Sequence, residues 1–255
     1  MQNIFDSHAH YASEQFDSDR DELLAELPKQ GVRMVMEVAT NVTSSHKAIE
    51  LAKRYDYFYC AVGVHPHDAQ NAPDDLEEQL EMLAKSSSRV RAIGEMGLDY
   101  HYDYSPRPKQ QEVFERQLIL ANKLDLPVIV HDREAHADVL ELLKKHKPRG
   151  IVHYFSGSAE SAKELVKMGF YIGFTGFVTF PNSKKAVAAA SAVPLDRLLL
   201  ETDCPYVAPV PHRGKRSNSA MIEHTARVIA GIKGIDPQEL LDTTFENACR
   251  VYCIK

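Results

Sequence analysis

Eight short stretches rich in β-branched and other apolar residues alternate with longer stretches of helical periodicity. That alternation restricts the chain to a parallel α/β architecture. The predicted strands are Ile4 to His10, Met34 to Thr40, Phe58 to His65, Arg91 to Leu98, Pro127 to Asp132, Gly150 to Phe155, Tyr171 to Thr175 and Leu198 to Asp203. Amphipathic segments such as Asp19 to Gln30, Ser44 to Arg54, Gln110 to Leu124, Glu134 to Lys145 and Ala159 to Met168 lie between them. Leu118, Ala121 and Leu124, for example, line one helical face. Ser219 to Ile232 and Asp236 to Val251 read as closing helices. Eight βα units in 255 residues favour a single (β/α)8 TIM barrel, which runs to about 250 residues, over an open doubly wound sheet. The expected organisation is one domain over residues 1–255.

Several function classes lose their support. No Gly-x-Gly-x-x-Gly follows a strand and no Gly-x-x-x-x-Gly-Lys-[Ser/Thr] occurs, so neither a dinucleotide site nor a P-loop is expected. No organic cofactor is implied. No apolar run approaches the ~20 residues of a membrane span, and the N-terminus lacks the basic and apolar regions of a signal peptide. The four cysteines, Cys60, Cys204, Cys249 and Cys253, form no disulfide framework. A reduced, cytoplasmic protein that does not engage membranes is expected. The net charge of −6 provides no global field that would draw the chain onto a polyanion.

In a TIM barrel the active site is built at the C-terminal ends of the strands, and there this chain repeatedly places residues able to bind metal. Strand one ends in His8 and His10, strand three in His65, strand five in His131, strand six in His153 and strand eight in Glu201 and Asp203. Strand four carries Glu95. Residues i and i+2 of a strand share a face, so the first and last strands would each bring a pair of ligands together. Burying such groups unpaired costs several kcal/mol each, and a shared cation offsets that cost for all of them.

Imidazole with carboxylate suits zinc, manganese and similar ions better than calcium. The donors exceed the four that one tetrahedral ion accepts. Two divalent ions about 3.5–4 Å apart would use them all. His8, His10 and Asp203 would hold one, His131 and His153 the other, and Glu95 would bridge. Asp203 is the expected proton acceptor for an activated water. Glu201 is an outer candidate that would orient a ligand or the water.

The motifs Asp6-Ser7-His8-Ala9-His10, Gly63-Val64-His65-Pro66, Gly94-Glu95-Met96-Gly97-Leu98-Asp99-Tyr100, His131-Asp132-Arg133, His153-Tyr154-Phe155-Ser156-Gly157-Ser158 and Glu201-Thr202-Asp203-Cys204-Pro205-Tyr206 resemble, in order, the signatures of TatD-type metal-dependent deoxyribonucleases. The resemblance extends from residue 4 to about residue 250. It implies a barrel related to the amidohydrolases, metal ligation by His8, His10, Glu95, His131, His153 and Asp203, and cleavage of phosphodiester bonds in DNA. It also implies that His65 lies by the substrate phosphate. The usual Arg-Gly-x-x-Asn-Glu-Pro stretch is altered here: Arg213-Gly214-Lys215-Arg216 is followed by Ser217-Asn218-Ser219-Ala220.

For a DNA substrate, Arg133, the His212 to Arg216 cluster including Arg213, and Arg107 with Lys109 are expected to form a local basic rim. Tyr100, Tyr102, Tyr104 and Phe155 are read as packing residues, with base stacking as the alternative. A site deep in a barrel mouth favours strand ends, so exonuclease or single-strand action, 3'-5' in the favoured reading, is expected. The working metal, Zn, Mn or Mg, is left open. The rival function is metal-dependent hydrolysis of another ester or amide, such as an aminoacyl-tRNA linkage, because fold and metals do not determine the electrophile.

Overall fold

The computed structural model describes residues 1–254. Eight parallel strands run in sequence order, β1 (Ile4–Ala9), β2 (Val32–Val38), β3 (Phe58–Val62), β4 (Val90–Asp99), β5 (Val128–Arg133), β6 (Gly150–Val152), β7 (Tyr171–Phe174) and β8 (Leu198–Leu200). The barrel closes through a short parallel bridge between Ala9 and Cys204. Asp203 N donates to His8 O and His10 N to Cys204 O, each at 2.9 Å. The helices are α1 (Arg20–Glu26), α2 (Val42–Arg54), α3 (Leu76–Lys85), α4 (Arg107–Leu124), α5 (His136–His146), α6 (Ala159–Lys167), α7 (Lys184–Ala192), α8 (Ile222–Lys233) and α9 (Pro237–Val251). The (β/α)8 TIM barrel expected from the alternation is the observed fold.

Inside the barrel, alternate strand residues form an apolar plug of Phe5, Met36, Ala61, Ala92, Ile129, Ile151, Tyr171 and Leu199. Tyr252, just past α9, seals its lower end and donates a 2.8 Å hydrogen bond to Ser7 O. A second apolar layer between strands and helices completes the core. The polar residues of the site rest on the plug, so the strands are rigid beneath them.

Six of the strands end earlier than their apolar patterns indicated, whereas β4 and β5 run one residue further, to Asp99 and Arg133. β1 stops at Ala9, β3 at Val62, β6 at Val152 and β8 at Leu200, leaving His10, His65, His153, Glu201 and Asp203 just beyond the ladders. Hydropathy cannot locate this boundary, because a buried loop lined by ligands is as shielded as a strand.

Candidate metal centre

A cleft of 1210 Å³ opens at the carboxyl ends of the strands, lined among others by His10, His65, Glu95, His131, His153 and Asp203. At its floor, His8 Nε2 lies 3.1 Å from His10 Nε2 and 3.4 Å from Glu95 Oε2. Asp203 Oδ1 is 3.3 Å from His10 Nε2 and 3.8 Å from His8 Nε2. Beside this group, Glu95 Oε1 is 2.9 Å from His131 Nδ1 and 2.6 Å from His153 Nε2. Those two nitrogens are 3.4 Å apart. Donors 2.0–2.1 Å from a tetrahedral ion stand about 3.4 Å from one another. The first set spans that spacing, at 3.1–3.8 Å; in the second the two nitrogens meet it, at 3.4 Å, while Glu95 Oε1 sits closer to both, and the two oxygens of Glu95 face different sets.

The outer contacts set which ring nitrogen carries the lone pair. His10 Nδ1 is 2.7 Å from Val38 O, so it donates there and leaves Nε2 free toward the cleft. His131 Nε2 is 3.1 Å from Asp99 Oδ2, so Nδ1 is the free donor atom toward Glu95. These are the partners that orient a metal-binding imidazole. His65 is arranged the other way. Its Nδ1 accepts from His67 N at 3.1 Å, which leaves Nε2 protonated, 3.5 Å from Glu95 Oε1. Although His65, Glu95 and His131 cluster closely, the His65 tautomer presents a hydrogen-bond donor, not a ligand lone pair.

The carboxylates and imidazoles of the pocket shift one another's proton affinities. Burial raises the Glu95 carboxyl, but the fields of His153, His65 and His8 outweigh it and hold the group well below the ordinary carboxylate range. Burial works against charge on His153, but Glu95 and Glu201 push its pKa well up. His10 is raised to about 9, against its burial, by Asp203, Glu95 and Glu37. His8 and His65 are lowered, burial being the first cause in each. Opposed lone pairs, a buried carboxylate between two imidazole groups and tetrahedral spacing together fit divalent cations.

Glycines make this packing sterically possible. A Cβ on Gly97, whose φ is +141°, would meet His131 O at 2.0 Å, and one on Gly173 would meet Glu201 Oε2 at 2.3 Å. A register shift in β4 between Ile93 and Met96 re-aims Glu95 into the cleft. Asp203 has a φ of +58° and Tyr154 one of +42°, left-handed values that are rare outside glycine and cluster at functional sites.

That turn at Asp203 alters the reading of Glu201. The expected alternation fails because the strand has ended, and the two carboxylates do not share a face. Glu201 is fully buried, accepts from Tyr154 N at 2.5 Å and from Ser7 Oγ at 3.3 Å, and lies 3.7 Å from His153 Nδ1. It lies behind His153 and off the cleft, so it does not reach the water-facing place expected of it. Arg213 is not brought to the site either. Its guanidinium carbon lies 4.5 Å over the Phe180 ring, and it is exposed. Arg133 does line the cleft.

Half of the expected basic rim is neutralised within the protein: Arg107 pairs with Asp103 at 2.8 Å, Lys109 with Glu112 at 2.8 Å, and Arg216 with Asp19. In the altered stretch, Ser219 Oγ donates to Asp6 Oδ2 at 2.7 Å. Asp6 also accepts from Thr202 N and Thr202 Oγ1 at 2.9 and 2.6 Å. The stretch therefore anchors the start of α8 beneath the turn that presents Asp203.

Asp99 went unassigned in the sequence, although it stands four residues beyond Glu95 on the same strand. Its Oδ2 accepts from His131 and, at 2.8 Å, from His67 Nε2. Its Oδ1 accepts from His101 N and Tyr102 N. Spacing carried the signal, but nothing in the sequence shows that a side chain at i+4 would turn back to a histidine on the next strand.

A TIM barrel whose mouth gathers imidazoles and carboxylates at this spacing defines a metal-dependent hydrolase. The profile of the TatD-related DNase family matches residues 5–253, and the chain belongs to that family. It is 42% identical over 256 residues, covering 98% of this chain and 99% of the other, to the uncharacterized metal-dependent hydrolase YabD of Bacillus subtilis strain 168. It is 38% identical over 258 residues, covering 98% and 97%, to a 3'-5' ssDNA/RNA exonuclease TatD of Cronobacter sakazakii. The crystal structure of YjjV, a TatD homologue of Escherichia coli K12, superposes with a TM-score of 0.93 at 30% identity, over 99% of each chain.

Proposed function

We propose that this hydrolase cleaves phosphodiester bonds of DNA, removing nucleotides from an unpaired 3' end with two divalent ions in place. The observation that carries this reading is Glu95, whose oxygens face two separate donor sets, His8, His10 and Asp203 on one side and His131 and His153 on the other. Ions bound there would lower the pKa of water toward neutrality and take up charge developing on phosphate. Zinc or manganese fits the imidazole-rich donors, and magnesium is the alternative.

The chain's own residues supply the rest. Asp203, beside His10 at the cleft surface, takes the proton from the attacking water. His65 Nε2–H donates to a phosphate oxygen, and Arg133 pairs with the anion. Glu201 backs His153 with its charge at 3.7 Å, and Asp99 holds His131 by a hydrogen bond. A pair of 3'-5' ssDNA/RNA exonucleases among the relatives, from Cronobacter sakazakii and Pectobacterium atrosepticum, supports the polarity and the unpaired substrate. The partly neutralised rim keeps the rival, another ester or amide as electrophile, in the test.

The test is product analysis on labelled oligonucleotides with zinc, manganese or magnesium. Stepwise shortening from a free single-stranded 3' end is expected, with little action on an end-blocked duplex. Efficient internal cleavage of the blocked duplex, or intact DNA beside turnover of a carboxylic ester or amide, would overturn the reading. Arg133→Ala should slow DNA cleavage, and an unchanged rate would favour the rival.

A further inference from the structure

The loop after β4 holds four hydroxyl or imidazole rings with unequal surroundings. Tyr100 donates to Asp138 Oδ2 at 2.6 Å and lies under Arg107, so it packs as the sequence led one to expect. Phe155 is buried as well. Tyr102 and Tyr104 depart from that expectation. They are 45% and 60% exposed, line the cleft, and stack on each other with centroids 5.1 Å apart and planes 16° from parallel. Among the described residues neither hydroxyl has a hydrogen-bond partner.

Two large exposed rings on a loop are unusual for a surface that gains nothing from them, and this loop is held rigidly. Asp99 Oδ1 accepts from His101 N at 3.0 Å and Tyr102 N at 2.9 Å. Gln110 Nε2 donates to Asp99 O and Ser105 O. Ser105 Oγ donates to His67 O and accepts from Gln70 N. The rings are thus prepositioned, which reduces the ordering cost of a ligand stacking on them.

Their place relative to the metal centre is also definite. The His67 ring sits edge-on to Tyr104 at 4.8 Å and to Tyr102 at 5.4 Å, and its centroid is 6.2 Å from that of His131. One imidazole therefore separates the tyrosines from a metal-binding residue. The Arg133 guanidinium carbon lies 4.6 Å over the Tyr102 ring, and Arg133 meets no carboxylate among the described residues. A flat apolar face beside an unneutralised guanidinium matches the two halves of a nucleotide, a base and its phosphate.

We propose that Tyr102 and Tyr104 form a stacking subsite for an unpaired nucleobase next to the scissile phosphate, with Arg133 on that phosphate. This rests on the nuclease reading above and assigns the side chains that would enforce its unpaired end. Every base offers a π-face, so the subsite selects for unpaired bases without selecting a sequence. A base inside a duplex is covered by its neighbours and cannot use it.

The experiment compares Tyr102→Leu/Tyr104→Leu and Tyr102→Phe/Tyr104→Phe proteins on a single-stranded oligonucleotide and on one whose 3'-terminal nucleotides are abasic. For the wild type, abasic sugars should raise KM roughly tenfold, the scale of one base stacked on an aromatic ring. The leucine pair should show the same rise on the ordinary strand and little further change on the abasic one. The phenylalanine pair should retain the wild-type KM, because the ring face is kept. Equal KM values for wild type and leucine pair on the ordinary strand would overturn the subsite while leaving nuclease action standing. An equal additional loss on both strands would assign the tyrosines to structure, and would also overturn it. If the wild type leaves both strands intact, the nuclease reading falls and the subsite falls with it.

Discussion

Asp99→Asn should weaken metal binding at the His131 side by about 10- to 100-fold, or ~1.4–2.8 kcal/mol, the usual effect of removing a partner behind a metal-binding imidazole. The side chain is fully buried and uses both oxygens as acceptors, Oδ2 for His131 and His67 and Oδ1 for two backbone N–H groups. An asparagine keeps the shape but has one acceptor end. If its oxygen faces the backbone groups, its amide N–H points at His131 Nε2. That nitrogen must then give up its proton, and Nδ1, the atom aimed at Glu95, receives it. If the amide is reversed, two backbone donors face an N–H2 group and the tyrosine loop loosens. Either arrangement removes charge-assisted hydrogen bonds, each about twice as strong as a neutral one. The assay is chelator-competition titration of metal affinity at pH 8, with circular dichroism to confirm folding. A folded variant that binds both ions as tightly as wild type would refute the assignment of the His131 tautomer.

The remaining predictions concern the cation and its supports. Removing metal with a chelator should lower the melting temperature by roughly 5–10 °C for each site emptied, since saturation at about a hundred times Kd contributes ~2.7 kcal/mol per site and each kcal/mol is worth about 2–4 °C at this size; an unchanged melting curve, with metal shown to leave, would contradict a site built from converging imidazoles and carboxylates. His10 is raised to about 9, so in chelated protein its contribution to stability is fully present below ~6.5 and is lost as pH rises through about 9. Metal competes for the same nitrogen and should bind more tightly over that range; calorimetry in EDTA against pH, beside metal titrations, checks both trends, and a melting temperature that rises over that range would sink the assignment. Gly173→Ala should destabilise by about 1–3 kcal/mol, because its Cβ would enter the space of Glu201 Oε2 and that carboxylate is held by Tyr154 N; denaturant unfolding measures it, and a neutral result would mean that Glu201 moves freely.

The barrel was legible because its physical signal is local. Runs such as Val128 to Val130 and Leu198 to Leu200 alternate with amphipathic helices, and parallel strands buried on both faces must be apolar. The convergence of His8, His10, Glu95, His131, His153 and Asp203 was legible for a similar reason: charged and imidazole groups at the ends of apolar strands call for a common counter-charge. Helices α3 and α7 were less evident, the second because Lys184–Ala192 is largely alanine and has a weak polar face. The roles of Glu201, Arg213, Asp99 and the two mouth tyrosines were not legible from pattern alone.

Composition and periodicity by themselves determined eight βα units, the parallel barrel and the inventory of metal-binding side chains, since these depend on burial and on spacing along one element. Only the folded molecule decided which way each group points. The left-handed turn at Asp203 separates it from Glu201. Contacts from β2 and β4 select the ring nitrogens of His10 and His131. Asp19 withdraws Arg216 from any substrate. Such choices are made by contacts between residues tens to hundreds of positions apart, and a linear pattern does not encode which of several chemically able partners will be adjacent.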